Sequence, residues 1–555
     1  MRRREFIGLL GVAPKAAPRY SVLIRGGTVF DGTGAPGRRA DIAVQGDRIA
    51  LVGDAGAASA ALTVDAGGMA VAPGFINMLS WAADWLIQDG RGLSDLKQGV
   101  TLEIFGEGTS LGPLNAGMRR ERIRRQRPGR RYPVTWTTNA GALSWLARRG
   151  VSMNIASFVG AATVRIHELG YADRAPDAAA LRRMQELVRR EMRLGALGLG
   201  SALIYAPGAY ARTAELTALA RAAAPFGGTY ISHLRSEGDR LEEGLEELLT
   251  IAREAKIQAE IYHLKAAGKA NWPKLDRVIA RIEEARAAGL RVAANMYTYT
   301  AGSTGLDAAM PPWIQEGGLD AWLQRLRDPA IRARAAAEMR DPRAPWENLM
   351  RAAGPEGTLL LGFNRPSLKT YTGKTLAEVA RLRGTPPEET AMDLVLEEGG
   401  DIGVAYFLMS EENVRRQTAL PWMAFGSDAR AIAAEGEHLE SMVHPRTYGN
   451  FARLLGRYVR EERALPLEQA VHQLTGLPAG RLGLKRRGRL APGCFADIVV
   501  FDPERIRDTA TFEKPHSYAE GVWHVFVNGR HALREGEFTG AMAGRFVRGP
   551  GYRPA

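Results

Sequence analysis

The sequence predicts an α/β protein built on a (β/α)8 TIM-type barrel, with a β-sandwich formed from both chain termini and a small inserted subdomain. From about Gly74 onward, apolar strand candidates alternate with helix candidates, as in parallel strands joined by crossover helices. Both chain ends instead carry short β-runs broken by glycine turns, and residues 307–385 are helical but irregular. At 555 residues, the chain exceeds the size of a single core, which agrees with several structural units.

The N-terminal β-runs lie within residues 19–73. They are YSVLIRGGTVFDG, ADIAVQGDRIALVGD with Gly46-Asp47 at a turn, and LTVDAGGMAVAPG. Period-two runs bounded by glycine turns predict a small antiparallel sheet. This segment is therefore the first part of the predicted sandwich.

The barrel is predicted to span residues 74–485 and to include the insertion at 307–385. Helix candidates show apolar residues at helical spacing, as at Leu181, Met184, Val188 and Met192 before Gly195. The number of strand–helix units favours a closed barrel over an open sheet. The strand candidates are TLEIFG, SMNIASFVG, ALGLGSAL, TYISHL, QAEIYHL, RVAANMYTY and MAFGSD.

The β-pattern returns in residues 486–553. FADIVVFDP and GVWHVFVNGRHALREGEF read as strands, with Asn528-Gly529 as a hairpin turn. Neither β-rich end has enough strands to fold alone. We therefore expect the two ends to form one sandwich beside the barrel.

Composition excludes several classes of partner. No stretch approaches the roughly 20 apolar residues that span a bilayer, so no membrane span is predicted. The net charge is +13, and its densest run is Arg119 to Arg131. Glu121 interrupts that run and no aromatic residues interleave with it, so no nucleic-acid partner is predicted. The lone cysteine, Cys494, rules out an intrachain disulfide and a Cys-only metal cluster.

Residues 1–18 form a candidate twin-arginine leader. Arg3-Arg4 followed by Glu-Phe-Ile matches the export pattern, but Pro14 and Lys15 end the apolar stretch after about eight residues. The expected location is the periplasm if this short leader works and the cytoplasm otherwise.

Polar residues follow four of the predicted barrel strands: Glu107, His233, His263 and Asp428. Reactive groups of such barrels sit at the carboxyl ends of the strands. A single histidine there is more often a core residue, but two histidines and carboxylates converging on one barrel mouth favour a metal ion. Imidazole and carboxylate are zinc ligands, and three protein ligands leave a position for water. The sequence therefore predicts one divalent ion, with Zn²⁺ favoured.

A series of motifs runs in order along nearly the whole chain: RGGTVFDGTGAPGRRADIAVQGDRIALVG, VAPGF, GVT, ISHLR, YHLK, YTAGSTGL, GSD, HPRTYG, VNG and EFTG. These motifs resemble the N-acyl-D-amino-acid deacylases, the D-aminoacylases of the amidohydrolase superfamily. The resemblance implies that His233 and His263 hold zinc and that Asp428 is both a metal-site residue and the general acid/base. It implies that Lys265, Tyr205 and Arg446 hold a substrate carboxylate and that Ser303 lies near the substrate.

The metal ligands of the family are only partly present. Its first-strand P-G-F-I-D-x-H-x-H pattern reads Pro-Gly-Phe-Ile-Asn-Met-Leu-Ser-Trp here, so Leu79 and Trp81 replace both histidines. The bridging cysteine of the family falls on Gly108. Glu107, one position earlier, is predicted to replace it as a ligand.

The sequence leaves other roles open for the nearby carboxylates. Glu107 could instead pair with a cation such as Lys265 or Arg235, since an unpaired buried carboxylate is costly. Glu103, deeper on the same strand face, is a candidate for pairing inside the barrel.

Together these features predict metal-dependent hydrolysis of the amide bond of N-acyl (D-)amino acids or related small amides. The alternatives are a cyclic amide or ureide hydrolase and a metal-free, non-catalytic relative that binds small carboxylates. Retention of Lys265, Asp428 and Arg446 favours the enzyme over the non-catalytic relative. The predicted partner is a small-molecule substrate, without a defined oligomeric state.

Overall fold

The computed structural model describes residues 19–126, 130–400 and 402–554 and confirms the predicted barrel. In chain order the strands are β1 Arg19–Val29, β2 Arg38–Gln45, β3 Arg48–Gly53, β4 Ser59–Asp65, β5 Ala70–Pro73, β6 Phe75–Asn77, β7 Val100–Phe105, β8 Asn154–Ser157, β9 Val159–Gly160, β10 Gly198–Ala202, β11 Thr229–His233, β12 Gln258–Ile261, β13 Val292–Met296, β14 Ala301–Gly305, β15 Thr358–Leu360, β16 Gly403–Phe407, β17 Met423–Phe425, β18 Ile498–Phe501, β19 Val522–Val527, β20 Arg530–Arg534 and β21 Glu537–Phe538.

Helices connect most of the barrel strands and build much of the insertion. The α-helices are α1 Ala83–Gln88, α2 Leu93–Leu96, α3 Ala116–Arg124, α4 Asn139–Arg149, α5 Ala161–Leu169, α6 Ala178–Leu194, α7 Thr213–Ala223, α8 Leu241–Ala255, α9 Lys274–Ala287, α10 Leu319–Arg325, α11 Pro329–Arg340, α12 Leu349–Ala353, α13 Leu376–Arg383, α14 Pro387–Glu398, α15 Glu411–Thr418, α16 Arg446–Arg453, α17 Leu467–Leu474 and α18 Gly476–Arg481. A π-helical segment, Leu454–Glu461, continues α16. Short 3₁₀ turns occupy Gly208–Tyr210, Ala224–Phe226, Lys269–Asn271, Leu306–Ala309, Pro312–Gln315, Pro366–Tyr371 and Gly436–Glu440.

The barrel closes as a ring of parallel strands. Strands β6, β7 and β8 pair in that order, and β9, β10, β11, β12, β13 and β17 pair in the next run. β8 and β9 are two parts of one strand interrupted at Phe158, which gives eight strand positions. The ring closes where Met78 N donates to Phe425 O over 3.0 Å and Asp428 N donates to Leu79 O over 2.8 Å.

Helix α6 shows why the connecting segments fold as the sequence predicts. Asp177 caps its first turn by accepting a hydrogen bond from Ala180 N. Met184, Val188 and Met192 recur at helical spacing and are fully buried, so one face packs on the barrel. Gly195 ends the helix in the left-handed region, with φ 109°, where a side chain would be strained.

Strands from both chain ends form one nine-stranded sheet beside the barrel. Its order is β21-β20-β19-β18-β5-β1-β2-β3, with β4 paired to β1. The two ends meet where β5 pairs antiparallel with β18, with Val499 opposite Ala72. An apolar cluster that includes Val44, Ile498 and Phe526 fills its interior. The joint assembly of both termini agrees with the sequence, although the strands form one continuous sheet.

The inserted elements have an apolar core of their own. Strands β14, β16 and β15 form a small antiparallel sheet, packed with Trp322, Met339 and Leu394. These strands extend the inserted unit from Ala301 to Phe407, beyond the predicted range 307–385, because β14 and β16 pair across it.

Two expectations concern the membrane and the leader. Among the described residues, no helix combines the length and apolarity needed to cross a bilayer. The candidate leader, 1–18, lies outside the described residues, so the location of the protein stays a prediction.

Candidate metal centre

The barrel mouth brings together the four polar residues predicted from the strand ends. Glu107 lies two residues after β7, His233 ends β11, His263 lies two residues after β12, and Asp428 lies three residues after β17. Glu107 and both histidines are buried. The carboxyl ends of four strands therefore supply one compact polar cluster.

Three donor atoms of this cluster form a triangle. His263 Nε2 lies 2.9 Å from Glu107 Oε1, His233 Nδ1 lies 3.1 Å from His263 Nε2, and His233 Nδ1 lies 3.3 Å from Glu107 Oε1. Zinc bonds of about 2.0–2.1 Å in tetrahedral geometry place two donors about 3.3 Å apart. Glu107, His233 and His263 can therefore hold one metal ion and leave its fourth position free.

The charge of Glu107 suits a ligand. Burial by itself raises the pKa of its carboxyl, but the positive charge of His263 and His233 in their protonated form and the hydrogen bonds from both rings outweigh burial and hold that pKa well below its usual range. The cations that the sequence offered as alternative partners are bound elsewhere. Lys265 pairs with Glu237, and Arg235 pairs with Glu247. The structure therefore favours metal binding by Glu107.

Glycine at position 108 explains why the metal ligand on this loop is the carboxylate of Glu107. Gly108 has φ +65°, and a Cβ there would lie 2.8 Å from the Cβ of Ala202. A side chain at that position would be strained and crowded. The family's cysteine therefore has no room at 108 in this chain, whereas Glu107 reaches the histidines.

Two of the site residues adopt left-handed backbone conformations. His263 has φ 33° and Asp428 has φ 48°, values that non-glycine residues rarely adopt. Such conformations cost about 1–3 kcal/mol each and persist where the surroundings enforce them. At Asp428 the hydrogen bond from its N to Leu79 O contributes to that enforcement.

Glu237 is a site residue that the sequence reasoning missed. Its Oε1 lies 3.0 Å from His263 Nδ1, and its Oε2 lies 3.5 Å from His233 Nε2. Each histidine thus turns one nitrogen toward Glu107 and the other toward Glu237. A carboxylate in this position orients both rings so that their inner nitrogens face a metal. The available signal was its spacing, four residues after His233.

Lys265 lies behind the histidines. Its Nζ lies 2.7 Å from both oxygens of Glu237 and 2.7 Å from His263 Nδ1, and its side chain is about 5% exposed. Although burial opposes the charge, Glu237 raises the pKa of the Lys265 ammonium. The structure brings Lys265 to Glu237, and its contact with a substrate carboxylate stays a prediction.

Arg446 is a cation at the wall of the cavity onto which the cluster opens. Its Nη2 donates to Ser303 O over 3.1 Å and lies 2.9 Å from Asp428 Oδ2. The Nε and Nη1 donors are buried without a partner, which is costly unless a ligand accepts from them. His444 supports this arrangement by accepting from Arg446 N over 3.0 Å.

The metal cluster opens on a cavity of about 700 Å³. Tyr205 and Ser303 line it, and the Tyr205 ring stands edge-on to His233 at 5.4 Å. Binding of the substrate carboxylate by Tyr205 and the place of Ser303 near the substrate stay predictions. Burial raises the pKa of Asp428 above its ordinary value, although Arg446 opposes that rise. The other functional residues at its wall are Trp81, Glu107, His263, Asp428, His444 and Arg446.

Glu103 lies below the metal cluster. Asn77 Nδ2 donates to Glu103 Oε2 over 2.9 Å and to Asp95 Oδ1 over 3.2 Å, and all three residues are fully buried. Burial raises the pKa of Glu103 to about 7. Glu103 therefore pairs inside the barrel, the role the sequence left open for it.

We expect Glu237→Gln to weaken metal binding by about 10- to 100-fold, the usual effect of removing an outer partner of a ligating histidine. Competition with a metal chelator measures the affinity. Glu247→Gln is the matched control, because Glu247 pairs with Arg235 and not with the histidines. The double variant with Lys265→Met removes the buried cation that the single change leaves unpaired. Unchanged affinity in both Glu237 variants would exclude this role.

Comparisons with known proteins agree with the fold. A model of the amidohydrolase family matches residues 131–532. D-aminoacylase of Alcaligenes xylosoxydans xylosoxydans is 34% identical over 529 residues, which cover 95% of this chain and 97% of that protein.

Solved structures, of which two are described, match over nearly the whole chain. N-acyl-D-glutamate deacylase from Bordetella bronchiseptica, complexed with zinc and a phosphonate inhibitor, has a TM-score of 0.78 and 30% identity, covering 96% of this chain and 100% of that one. The second is a D-aminoacylase with a binuclear metal centre, for which one-metal activation and second-metal attenuation are described. It has a TM-score of 0.79 and 32% identity, and the match covers 95% of this chain and 100% of that one. The chain therefore belongs to the amidohydrolase family, within its group of D-aminoacylases and N-acyl-D-amino-acid deacylases.

Proposed function

We propose that this protein hydrolyses the amide bond of N-acyl amino acids, using one divalent metal ion held by Glu107, His233 and His263. The observation that carries the proposal is the triangle of three donor atoms at the wall of a cavity that also contains Asp428 and Arg446. The full-length relatives named for deacylation of N-acyl-D-amino acids support the same substrate class. Hydrolysis of cyclic amides has no comparable support.

Glu107, His233 and His263 would hold the divalent ion, which would supply polarisation of the scissile carbonyl and activation of water near neutral pH. Arg446 has two buried donors without a partner, Nε and Nη1, and binds the carboxylate of the substrate through one of them. Asp428 takes the proton of the attacking water and delivers it to the nitrogen of the departing amine. The products are a free amino acid and a carboxylate.

The direct test is release of free amine from N-acetyl-D-amino acids, with the L-enantiomers and cyclic amides as comparisons. We expect hydrolysis of the open-chain N-acyl amino acids, and its loss after metal removal. Ring opening of the cyclic amides without action on the open-chain substrates would contradict the proposal. Activity that survives complete metal removal would contradict it as well.

Arg446→Ala should raise KM for N-acyl amino acids by roughly 10- to 100-fold, because it removes a charge-assisted hydrogen bond to the substrate carboxylate. The matched comparison is the uncharged carboxamide of the same substrate, whose KM should change little. Steady-state kinetics with both substrates decides the question. Equal losses for the two would show that Arg446 acts only through Asp428.

A further inference from the structure

Trp81 links two carboxylates that come from opposite sides of its strand. It follows β6 at the barrel mouth, and its Nε1 lies 3.0 Å from Glu107 Oε2 and 3.0 Å from Asp428 Oδ1. An indole has one donor and no acceptor. A single N–H is therefore shared between the carboxylate that follows β7 and the one that follows β17.

The other oxygen of each carboxylate is already engaged. Glu107 Oε1 faces His263 Nε2 and His233 Nδ1, and Asp428 Oδ2 meets Arg446 Nη2 at 2.9 Å. All four carboxylate oxygens thus have a partner. The indole N–H is the group that ties the predicted metal ligand to the predicted proton carrier.

A second cation would ordinarily hold two such carboxylates together in a binuclear site. Leu79 and Trp81 offer no lone pair to a metal, so the two positions of the family's histidines supply no ligand for a second ion. Resting on the proposed function, we propose that Trp81 is a positioning residue whose N–H replaces that ion. It restrains Glu107 to bind the metal through one oxygen and keeps Asp428 directed at the reacting atoms.

The restraint has a consequence that can be measured without turnover. If Trp81 holds Glu107 Oε2, the metal keeps three protein donors and one open position. Once the N–H is removed, Glu107 is free to bind through both oxygens, and the coordination number rises. Four-coordinate Co²⁺ absorbs visible light much more strongly than five- or six-coordinate Co²⁺, so cobalt-loaded protein reports the change.

The test uses full-length protein loaded with Co²⁺ and compares wild type with Trp81→Phe. A second variant carries 3-benzothienylalanine at position 81, which keeps the shape of tryptophan and replaces the N–H by sulfur. Trp85→Phe is the matched control, because Trp85 lines the same cavity but stacks against Arg430 at 4.3 Å.

In both Trp81 variants we expect one Co²⁺ per chain and a visible absorption several-fold weaker than that of wild type. The visible spectrum of the Trp85→Phe variant should equal that of wild type. With zinc and an N-acyl amino acid, kcat should fall about 10- to 100-fold, as for loss of a hydrogen bond to an ionised group, while KM changes little. A wild-type spectrum in the benzothienyl variant would overturn the inference. Absence of hydrolysis in every form would refute the proposed function, and the cobalt spectra would still decide the role of Trp81.

Discussion

Asp428→Asn should lower kcat by about 100-fold or more while the protein keeps its metal. The amide preserves the shape of the side chain but cannot accept a proton from water or return one to the leaving amine. The ligand triangle does not include Asp428, so metal content should survive. Steady-state kinetics paired with elemental analysis of the same preparation measures both quantities.

Arg446→Ala controls for the ion pair that Asp428→Asn also disturbs. It removes the contact to Asp428 Oδ2 but leaves a carboxylate that can carry a proton. We expect its main effect on KM and the main effect of Asp428→Asn on kcat. Loss of metal from Asp428→Asn, or a near-normal kcat, would show that another group carries the proton.

Glu107→Gln should have the largest effect on the metal. The amide keeps the size of the side chain and loses the charge that binds a cation in a buried site. Because loss of an outer partner alone costs about 10- to 100-fold in affinity, loss of this ligand should cost more than about 100-fold. Chelator competition measures the affinity, and activity should fall with it.

Glu103→Gln is the matched control for Glu107→Gln. Both residues belong to the same strand and its following loop, but Glu103 bonds to Asn77 inside the barrel. We expect Glu103→Gln to retain the metal, with thermal unfolding measured for both variants. Equal metal loss in both would mean that charge anywhere along this strand, and not a ligand bond from Glu107, supports metal binding.

The sequence predicts the barrel and much of the site because both follow from local pattern. Strands end where polar residues begin, and parallel strands of a closed barrel bring those ends together. Glu107, His233 and His263 could therefore be grouped before their distances were known. The insertion boundary was harder to place, because β14 and β16 pair across about 100 residues of chain.

The bridging contact of Trp81 could not be predicted in the same way. It depends on the closing register between β6 and β17, which places residues 81 and 428 side by side although 347 positions separate them. Local sequence indicates only that Trp81 cannot bind a metal. The pairing of Lys265 with Glu237 was missed for a related reason, since it depends on the path of the loop after β11.

The central claim is a mononuclear site, and metal stoichiometry tests it most directly. Elemental analysis of protein incubated with excess Zn²⁺ and then freed of loosely bound ions should give one ion per chain. The ligand triangle supplies one site, and Leu79 and Trp81 supply no donors for a second. Two tightly bound ions per chain, or none, would contradict the account.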